Sequence, residues 1–541
     1  MIVNRRRAFA TQLWRLADLT RASERHRSFR AKAYRRAVWS LDHLDPDLDA
    51  DDERLLATAG IGPGIAALVS EFRSQGRLLR LDSLEASYPT ESRRLRRLPR
   101  MSPKLLSQLK VSLGVDTRED LALAIDTGAA SSLHGVGEAT LELWSRILAL
   151  SPGPEHVPAN EAWEMSRVLA THIEEHLRCQ VVIAGAVRRL EEWVDAINLV
   201  VVTDDIESVE SFLSESAALA EMVRADGSRM MGRTHDEQWV VADISPPPRA
   251  GTTLIAATGP PAHARSVVAL GNFATEDDAY RAAGSPWIAP PARGLAGDAA
   301  ARVVTVDDIE GDLHIHTEAS PDGRMTLDQL AAEAESRGYR YLLITDHTHG
   351  LRFGGLGPEA LAAQAVELSG TRASSCLLLH GAEVNIDADG LLDIGDDTIS
   401  LLDLVVAGVH SHFSLGQVEQ THRLVKALSH PAVRVLAHPF GRRIGIRPPI
   451  DIDFPAVVEA AVAGSVAFEV NGHRDRLDLP VTWIEVAADA GAVFAASSDA
   501  HRVSEMLNVE NAVASLQRAG VGPERVVNAM PLEEFLAWAH Q

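Results

Sequence analysis

The sequence predicts a multidomain chain that ends in a distorted barrel of seven parallel β/α units, and two observations predict this barrel. Seven short apolar runs between residues 312 and 501 alternate with amphipathic segments of helix length, such as Thr326 to Arg337. Buried parallel strands and their covering helices give this pattern. Each apolar run also ends in a residue that can bind a metal ion. The carboxyl ends of the strands form the active-site face of such a barrel, so we expect these residues to converge.

The strand-end residues form a regular series. It opens in Asp312-Leu-His-Ile-His, where the two-residue spacing puts the imidazoles of His314 and His316 on one face of a strand. The later runs end at Asp346 with His347, Glu383, His410, His438, Glu469, and Asp499 with His501. One His-x-His pair is weak evidence for a metal, and polar residues can cap strands for packing reasons. Seven successive strand ends with ligand chemistry favour a metal site over capping.

Composition indicates a folded protein of several domains. The 541 residues are 46% hydrophobic and 23% charged, which is typical of globular chains. Cys179 and Cys376 lie far apart without a CxxC motif, which argues against a disulfide framework and a thiolate zinc site. We therefore expect a reducing cytoplasm. We expect no membrane segment either, because no apolar run approaches 18 residues and no charged-then-apolar leader opens the chain.

Charge is unevenly distributed along the chain. The net charge is −23, yet the first 110 residues hold 22 Lys and Arg against 13 Asp and Glu, a net +9, which leaves −32 for the remainder. The cations of the basic part are nearly all arginine and cluster at residues 25–36 and 93–100. Arginine suits bidentate phosphate contacts. A solvated helix face explains the same charges equally well.

Two glycine-rich stretches in the basic part and just after it favour the phosphate interpretation. Gly60, Gly62 and Gly64 precede one helical segment, and Gly135 and Gly137 precede another. Both resemble helix-hairpin-helix motifs, in which main-chain N–H groups at the start of a helix approach a phosphate closely. One Gly-x-Gly alone could be a plain turn. Residues 98–104 look like a third copy without glycines, so its phosphate contact is not expected.

Residues 308 to about 541 resemble the polymerase and histidinol phosphatase (PHP) domain, a distorted seven-unit barrel with a three-metal phosphoesterase centre. The resemblance implies nine ligands, and all are present: His314, His316, Asp322, His347, Glu383, His410, His438, Asp499 and His501. It implies that the first ion is held by the catalytic residues His314, His316, Glu383 and Asp499. Glu383 would bridge to a second ion on His410 and His438, and Asp322, His347 and His501 would hold the third. Such ligands suit Mn²⁺, Zn²⁺ or iron, and do not suit Mg²⁺ alone.

Helix-hairpin-helix copies followed by a PHP domain resemble the bacterial family X DNA polymerases across the whole chain. The resemblance implies four domains: a helical DNA-binding domain at 1–95, a fingers-like hairpin domain at 96–152, a palm with a shortened thumb at 153–300, and the PHP domain at 301–541. Residues 29–36 are similar to part of the family's amino-terminal domain. Residues 180–203 resemble its α+β palm, a fold of the nucleotidyltransferase type.

The palm departs from the family where its chemistry is expected. The family places an Asp-x-Asp pair, which binds two magnesium ions, seven residues after two arginines; here Ala196 and Asn198 stand in its place. Asp243 matches the third carboxylate, but one carboxylate cannot hold two hard cations. We therefore expect a degenerate palm without polymerase activity. The family's lyase lysines are replaced by Gly64 and Leu68, so no Schiff base can form.

These patterns predict a metal-dependent phosphodiesterase of DNA repair, most simply a 3′-to-5′ exodeoxyribonuclease. We expect a monomer, cytoplasmic and associated with the nucleoid, that binds single strands, 3′ ends or gapped duplex DNA. Arg443, Arg447 and Arg474 near the strand ends are candidates for steering substrate phosphates. A small-molecule phosphatase of the histidinol phosphatase type and a non-catalytic DNA-binding scaffold are the alternatives. The hairpins argue against the first, and the complete ligand set argues against the second.

Overall fold

The computed structural model describes residues 5–23, 29–45, 48–87, 95, 98–150, 156–295, 300, 302–350, 354–370 and 376–541. The chain divides into two compact units: Met1–Ser285 with Gly445–Arg447, and Pro286–Ile444 with Pro448–Gln541. Within the described residues, no helix is long and apolar enough to span a membrane. The arginines at positions 25, 27, 93, 94, 96 and 97 lie outside the described residues. The finer division into four domains stays a prediction.

The first unit opens with helices. These are α1 (Arg5–Ser23), α2 (Phe29–Ser40), α3 (Asp52–Ala57), α4 (Pro63–Gln75) and α5 (Leu79–Ser87), followed by α6 (Pro103–Leu113), α7 (Arg118–Asp126) and α8 (Glu138–Leu150). Two apolar cores form here. Phe9, Leu13 and Val69 belong to the first core. Trp144 belongs to the second, where its indole N–H donates to the carbonyl of Pro99 at 2.8 Å.

The rest of the first unit is a mixed α/β region, as the palm resemblance implies. Its elements are β1 (Val157–Pro158), α9 (Ala159–Leu177), β2 (Gln180–Ala184), α10 (Gly185–Arg188), β3 (Trp193–Val194), β4 (Ala196–Val202), α11 (Ile206–Glu215), β5 (Leu219–Asp226), β6 (Arg229–Thr234), β7 (Trp239–Ser245), α12 (Ala250–Thr258), α13 (Pro261–Val268) and α14 (Glu276–Ala282). Five strands form one sheet in the order β2-β4-β7-β6-β5, in which β4 and β7 are parallel. Leu199 and Ala242 face the core on one side, so Asn198 and Asp243 lie on the other side.

The second unit contains the predicted barrel. Its elements are β8 (Gly311–Ile315), α15 (Leu327–Arg337), β9 (Tyr341–Ile344), α16 (Pro358–Gly370), β10 (Leu377–Asn385), α17 (Asp396–Ile399), β11 (Leu404–Gly408), α18 (Gln417–Leu428), β12 (Val433–Leu436), α19 (Phe454–Ala463), β13 (Ala467–Asn471), α20 (Val481–Asp489), β14 (Phe494–Ser497), α21 (Val509–Arg518) and α22 (Leu532–Ala539). All seven strands are parallel and pair in chain order. A parallel bridge between Ile315 and Ala500 brings the first strand to the last, so the barrel is nearly closed. The predicted fold class is confirmed.

The amino-terminal end of the barrel is filled with apolar side chains. Tyr341, Val406 and Ala467 belong to one buried cluster with Phe535 and Trp538 of α22. The ring of Tyr341 stacks on Phe535 with centroids 4.4 Å apart. This apolar floor leaves the opposite end of the barrel, where the strands finish, for polar residues.

Candidate metal centre

Strand periodicity brings the donor side chains into the barrel above the apolar floor. In β11, Val406 belongs to the floor and Gly408 lies two residues further along the same face. In β10, Leu379 belongs to the floor and Glu383 lies four residues further, on the same face. The structure brings all nine sequence-predicted ligands together, each within 3.8 Å of another: His314, His316, Asp322, His347, Glu383, His410, His438, Asp499 and His501.

Glu383 lies at the middle of this group. Its Oε1 atom is 2.8 Å from Nε2 of His410 and 2.8 Å from Nε2 of His438. Its Oε2 atom is 2.9 Å from Nδ1 of His347 and 3.2 Å from Nε2 of His314. The two oxygens therefore face different imidazoles, an arrangement that would allow one carboxylate to bridge two metal ions.

Eight of the nine donors, all except His438, fall into three groups whose ligand atoms lie within 4.8 Å of one another. Among the described residues, the groups are His314, His316 and Asp499; His347, Glu383 and His410; and His316, Asp322, His347 and His501. His347 and His316 each belong to two groups, whereas the family resemblance gives each of them to one ion. The assignment of ligands to individual ions therefore stays a prediction.

Charge pairing inside the centre shifts the pKa values of its carboxylates and of several imidazoles. Burial raises the pKa of Glu383, but the neighbouring imidazoles, His347 first, outweigh burial and hold the pKa well below its usual range. Burial lowers the pKa of His347, but the carboxylates of Glu383 and Asp322 outweigh it and raise that pKa to about 10. Glu383 is therefore ionised at neutral pH, as a metal ligand must be, whereas His347 holds a proton that a bound metal ion would displace.

Two other imidazoles are kept neutral. Burial, and then the charges of His501 and His347, lower the pKa of His316 to about 3. Burial, and then the charge of Arg476, lower the pKa of His438 to about 4. Neutral imidazole is the form that binds metal ions.

The residues present fit divalent metal ions. Both ring nitrogens of His316 are buried without a hydrogen-bond partner. A buried polar atom in that state is costly, and coordination to a cation would remove the cost. Imidazole nitrogens mixed with carboxylate oxygens also match the preferences of Mn²⁺, Zn²⁺ and iron. The donor set and the orphaned nitrogens thus agree that this is a site for divalent ions.

Gly408 and Arg476 lie beside the ligands and were not among the sequence candidates. Gly408 ends β11 beside the ligands: an added Cβ would lie 2.9 Å from Cε1 of His410 and 3.2 Å from Oε1 of Glu383. Arg476 places Nε 3.2 Å from Oδ2 of Asp499. A glycine at a strand end marks a close approach, which was the available signal for Gly408. The sequence offered no such signal for Arg476, because this residue follows β13 in a segment without regular periodicity.

The three arginines proposed to steer substrate phosphates do not form one cluster in the sequence or in the division of the chain into units. Arg443 forms an ion pair with Asp475 and is half exposed. Arg474 follows β13, two residues before Arg476. Arg447 falls in the segment Gly445–Arg447, which clusters with the first unit. Their role in phosphate binding stays a prediction.

The hairpin glycines divide into two kinds. Gly60 and Gly135 have φ angles of +88° and +87°, in the left-handed region that favours glycine. Gly62, Gly64 and Gly137 have no such angle, and an added Cβ would meet no atom within 4 Å. Gly62 and Gly137 immediately precede α4 and α8. Neither backbone conformation nor internal packing requires glycine at these three positions.

The palm face of β4 and β7 is occupied by internal contacts. Arg229 donates to both oxygens of Asp243, at 2.7 and 3.2 Å. The side-chain amide of Asn198 donates to the carbonyl of Ala196 at 3.1 Å. Arg188, one of the two arginines that precede this strand, binds both oxygens of Glu276 at 2.8 Å.

Comparison with known proteins supports the resemblances predicted for the amino-terminal region and for the barrel. Residues 4–78 match the helix-hairpin-helix domain family, and residues 312–434 match the PHP domain family. The chain is 27% identical over 543 residues to the DNA polymerase/3′-5′ exonuclease PolX of Bacillus subtilis, across 94% of this chain and 95% of that protein.

The chain is also similar to shorter proteins over part of its length. It is 30% identical over 236 residues to a probable phosphatase of Edwardsiella ictaluri and 29% identical over 235 residues to the probable phosphatase YcdX of Escherichia coli. Each match covers 41% of this chain and 90% of the relative. The chain therefore belongs to the PHP-domain proteins and joins that domain to a helix-hairpin-helix domain in the arrangement of the family X DNA polymerases.

Proposed function

We propose that this protein is a metal-dependent phosphodiesterase that removes nucleotides from the 3′ ends of DNA, and that its polymerase activity has been lost. One observation carries the proposal. Glu383 is almost fully buried, and its two oxygens face separate imidazoles within a group of nine donors at the end of the barrel. A constellation of this kind serves multi-metal phosphate ester hydrolysis.

The chemistry follows from the donor set. Divalent ions held by these residues would supply Lewis acidity toward phosphate oxygens and would lower the pKa of bound water. We propose three ions, Mn²⁺ or Zn²⁺ and alternatively iron. His314 is fully buried, whereas the side chains of Asp322 and His501 are 40% and 22% exposed. A phosphodiester would therefore enter from the side of Asp322, with the guanidinium of Arg476 adding positive charge beside Asp499.

The hairpins supply the reason to expect DNA as the substrate. Gly62, Gly64 and Gly137 leave open space where side chains would be tolerated, two of them immediately before a helix. These three glycines are exposed, so their main-chain N–H groups would be open to a phosphate, and the helix dipole would favour the anion. Such contacts do not depend on base sequence. The match of this region to the helix-hairpin-helix family supports the same role.

Loss of polymerase activity follows from the palm. Two-metal nucleotide transfer needs several carboxylates, but Ala196 and Asn198 offer none and Asp243 is engaged by Arg229. We expect no template-directed primer extension by the purified protein with either Mg²⁺ or Mn²⁺. Incorporation that disappears in Asp243→Ala and persists in His314→Ala would contradict this part of the proposal.

A small-molecule phosphatase is the second candidate, because probable phosphatases match 41% of this chain over 90% of their own length. Three substrates separate the candidates: 3′-labelled single-stranded DNA, the same strand labelled at its 5′ end, and a phosphate monoester. A 3′-to-5′ exonuclease releases labelled mononucleotide early from the first and progressively shortens the second. Hydrolysis of the monoester with both DNA strands intact would favour the phosphatase. If none of the three substrates is hydrolysed in the presence of Mn²⁺, the non-catalytic DNA-binding scaffold is the remaining alternative.

A further inference from the structure

The carboxylate of Glu469 lies in the metal centre but belongs to none of the proposed ligand sets. Its side chain is fully buried on β13, on the same face as Ala467 of the apolar floor. The sequence marks it with the same strand-end pattern as the ligands, and the family resemblance assigns it no metal ion. Its contacts reach three ligands that lie on other strands or just beyond them.

The first contact determines which ring nitrogen of His314 carries the proton. Oε1 of Glu469 is 2.6 Å from Nδ1 of His314. When the imidazole is neutral, donation from Nδ1 leaves the lone pair on Nε2, since only one ring nitrogen then holds a proton. Nε2 of His314 is the atom that faces Oε2 of Glu383, at 3.2 Å. Glu469 thus selects the tautomer of His314 that can bind a metal ion.

The second contact holds a ligand in an unusual backbone conformation. Oε2 of Glu469 accepts the main-chain N–H of His438 at 2.6 Å. His438 has a φ angle of +27°, which residues other than glycine rarely adopt unless neighbouring contacts hold the backbone in place. This conformation places Nε2 of His438 at 2.8 Å from Oε1 of Glu383.

The third contact runs through an amide. Nδ2 of Asn471 donates to Oε2 of Glu469 at 3.2 Å and to Oδ2 of Asp499 at 3.0 Å. Asn471 is also fully buried, so its geometry is fixed by these partners. The orientation of Asp499 is therefore tied to the same carboxylate.

We propose that Glu469 is a positioning residue that prepares two metal sites at once: the site of His314 and Asp499, and the site of His438. The inference rests on the proposed metal centre and not on the identity of the substrate. Because one carboxylate supports ligands of both sites, we expect its removal to weaken both, while the site of Asp322, His347 and His501 keeps its single ion. Residues that orient ligands typically contribute about 10- to 100-fold to metal affinity.

Glu469→Gln is the sharpest substitution, because it keeps the volume and removes one acceptor. Glu469 accepts at both oxygens, from the ring of His314 and from the main chain of His438. A glutamine must turn its NH₂ group toward one of these donors. It therefore either repels the N–H of His438 or forces His314 into the tautomer with a proton on Nε2.

The experiment measures metal binding by the full chain after chelation and dialysis. Calorimetric titration with Mn²⁺, and with Zn²⁺ in parallel, gives affinity and stoichiometry for the wild type, Glu469→Gln and Asp478→Asn. Asp478 is a matched control, because it is an equally buried carboxylate, and its oxygens accept from the main-chain N–H groups of Phe440 and Arg442. We expect Glu469→Gln to lose about 10- to 100-fold in affinity for two of the ions, and Asp478→Asn to stay within about threefold.

Unchanged affinities in Glu469→Gln would overturn the inference, and so would equal losses in Asp478→Asn, which indicate a merely structural role. If Glu469→Gln does not fold, Asn471→Ala decides, since it keeps Glu469 and removes its link to Asp499. We expect a smaller loss, confined to one ion, and no loss would refute the inference. A wild type that binds ions and leaves DNA intact contradicts the proposed nuclease alone, whereas a wild type that binds no divalent ion contradicts both proposals.

Discussion

Gly408 ends β11 where the metal centre leaves no room for a side chain. A Cβ at this position would lie 2.9 Å from the ring of His410 and 3.2 Å from Cε1 of His438. Gly408→Ala is therefore expected to displace these imidazoles and to lower Mn²⁺ affinity about tenfold or more, at a stability cost of about 1–3 kcal/mol from overpacking. Titration with Mn²⁺ and thermal unfolding measure the two effects.

Gly357→Ala is the control for that substitution. Gly357 precedes α16, has no positive φ and would place a Cβ in open space. We expect its Mn²⁺ affinity to equal that of the wild type. Wild-type affinity in Gly408→Ala as well would show that the ligands can move aside without loss.

The proposed ligands were visible in the sequence because most of them follow an apolar strand, and strand ends meet at one face of a parallel barrel. Glu469 followed the same pattern, but its role was not visible. That role depends on hydrogen bonds to His314 and to the main chain of His438, across strands that are distant in the sequence. Arg476 was missed for a related reason. Its contact with Asp499 joins two irregular segments whose geometry no residue spacing specifies.

At the scale of elements, α22 closes the apolar end of the barrel. Phe535 is fully buried and stacks on Tyr341, whose hydroxyl donates to the carbonyl of Met530 at 3.1 Å. Phe535→Ala leaves a cavity in the floor, and substitutions of this kind cost about 3–5 kcal/mol. Denaturant unfolding of the full chain with excess Mn²⁺ measures the change in the transition assigned to the barrel.

Leu536→Ala serves as the comparison, because Leu536 is only partly buried against the same cluster. We expect a clearly smaller loss of stability there. If both variants unfolded at the wild-type denaturant concentration, α22 would not be part of the barrel core.

The strands of the barrel were predictable, whereas the role of α22 and the order of the palm sheet were not. Continuous apolar runs indicate strands buried on both faces, which fixed seven parallel units. The segment Leu532–Ala539 is a short amphipathic helix, and its sequence does not say which apolar surface it covers. In the palm, the order β2-β4-β7-β6-β5 combines parallel and antiparallel pairs, and short alternating strands do not specify such neighbours.

For the whole molecule, the uneven charge indicates which part of the chain binds DNA. Residues beyond 110 carry a net −32, a charge that disfavours DNA, so we expect the basic part and the hairpins to supply the affinity for DNA. We expect the double variant Gly62→Asp with Gly137→Asp to bind single-stranded DNA at least about tenfold more weakly. Each aspartate places a negative side chain beside the N–H groups that would bind a phosphate, and a hydrogen bond to a charged group contributes about 1.5–3 kcal/mol. Binding should also weaken steadily with salt. Fluorescence anisotropy across a salt series measures both.

Gly357→Asp is the matched control for the hairpins. Gly357 precedes Pro358 and a helix, as Gly62 precedes Pro63 and α4, and both positions have room for a side chain. The control adds one negative charge to the barrel, as each hairpin substitution adds one to its hairpin, so we expect its DNA affinity to remain close to that of the wild type. Equal weakening in control and double variant would place the DNA contacts elsewhere.

The most direct test of the account compares two ligands of the proposed centre in one measurement. Glu383 contacts imidazoles through both oxygens, whereas Asp322 lies within 3.6 Å of His347 and 3.3 Å of His501 and is 40% exposed. Loss of a bridge disturbs two ions and their spacing, while loss of a peripheral ligand lowers one affinity, which mass action can offset.

The measurement is the rate of nucleotide release from 3′-labelled single-stranded DNA against Mn²⁺ concentration, with metal content determined for each protein. We expect Glu383→Ala to be inactive at every concentration, and Asp322→Ala to retain activity that rises with excess Mn²⁺. Equal losses in both variants that Mn²⁺ does not restore would contradict the ranking of the ligands. Wild-type activity in Glu383→Ala would contradict the proposed centre itself.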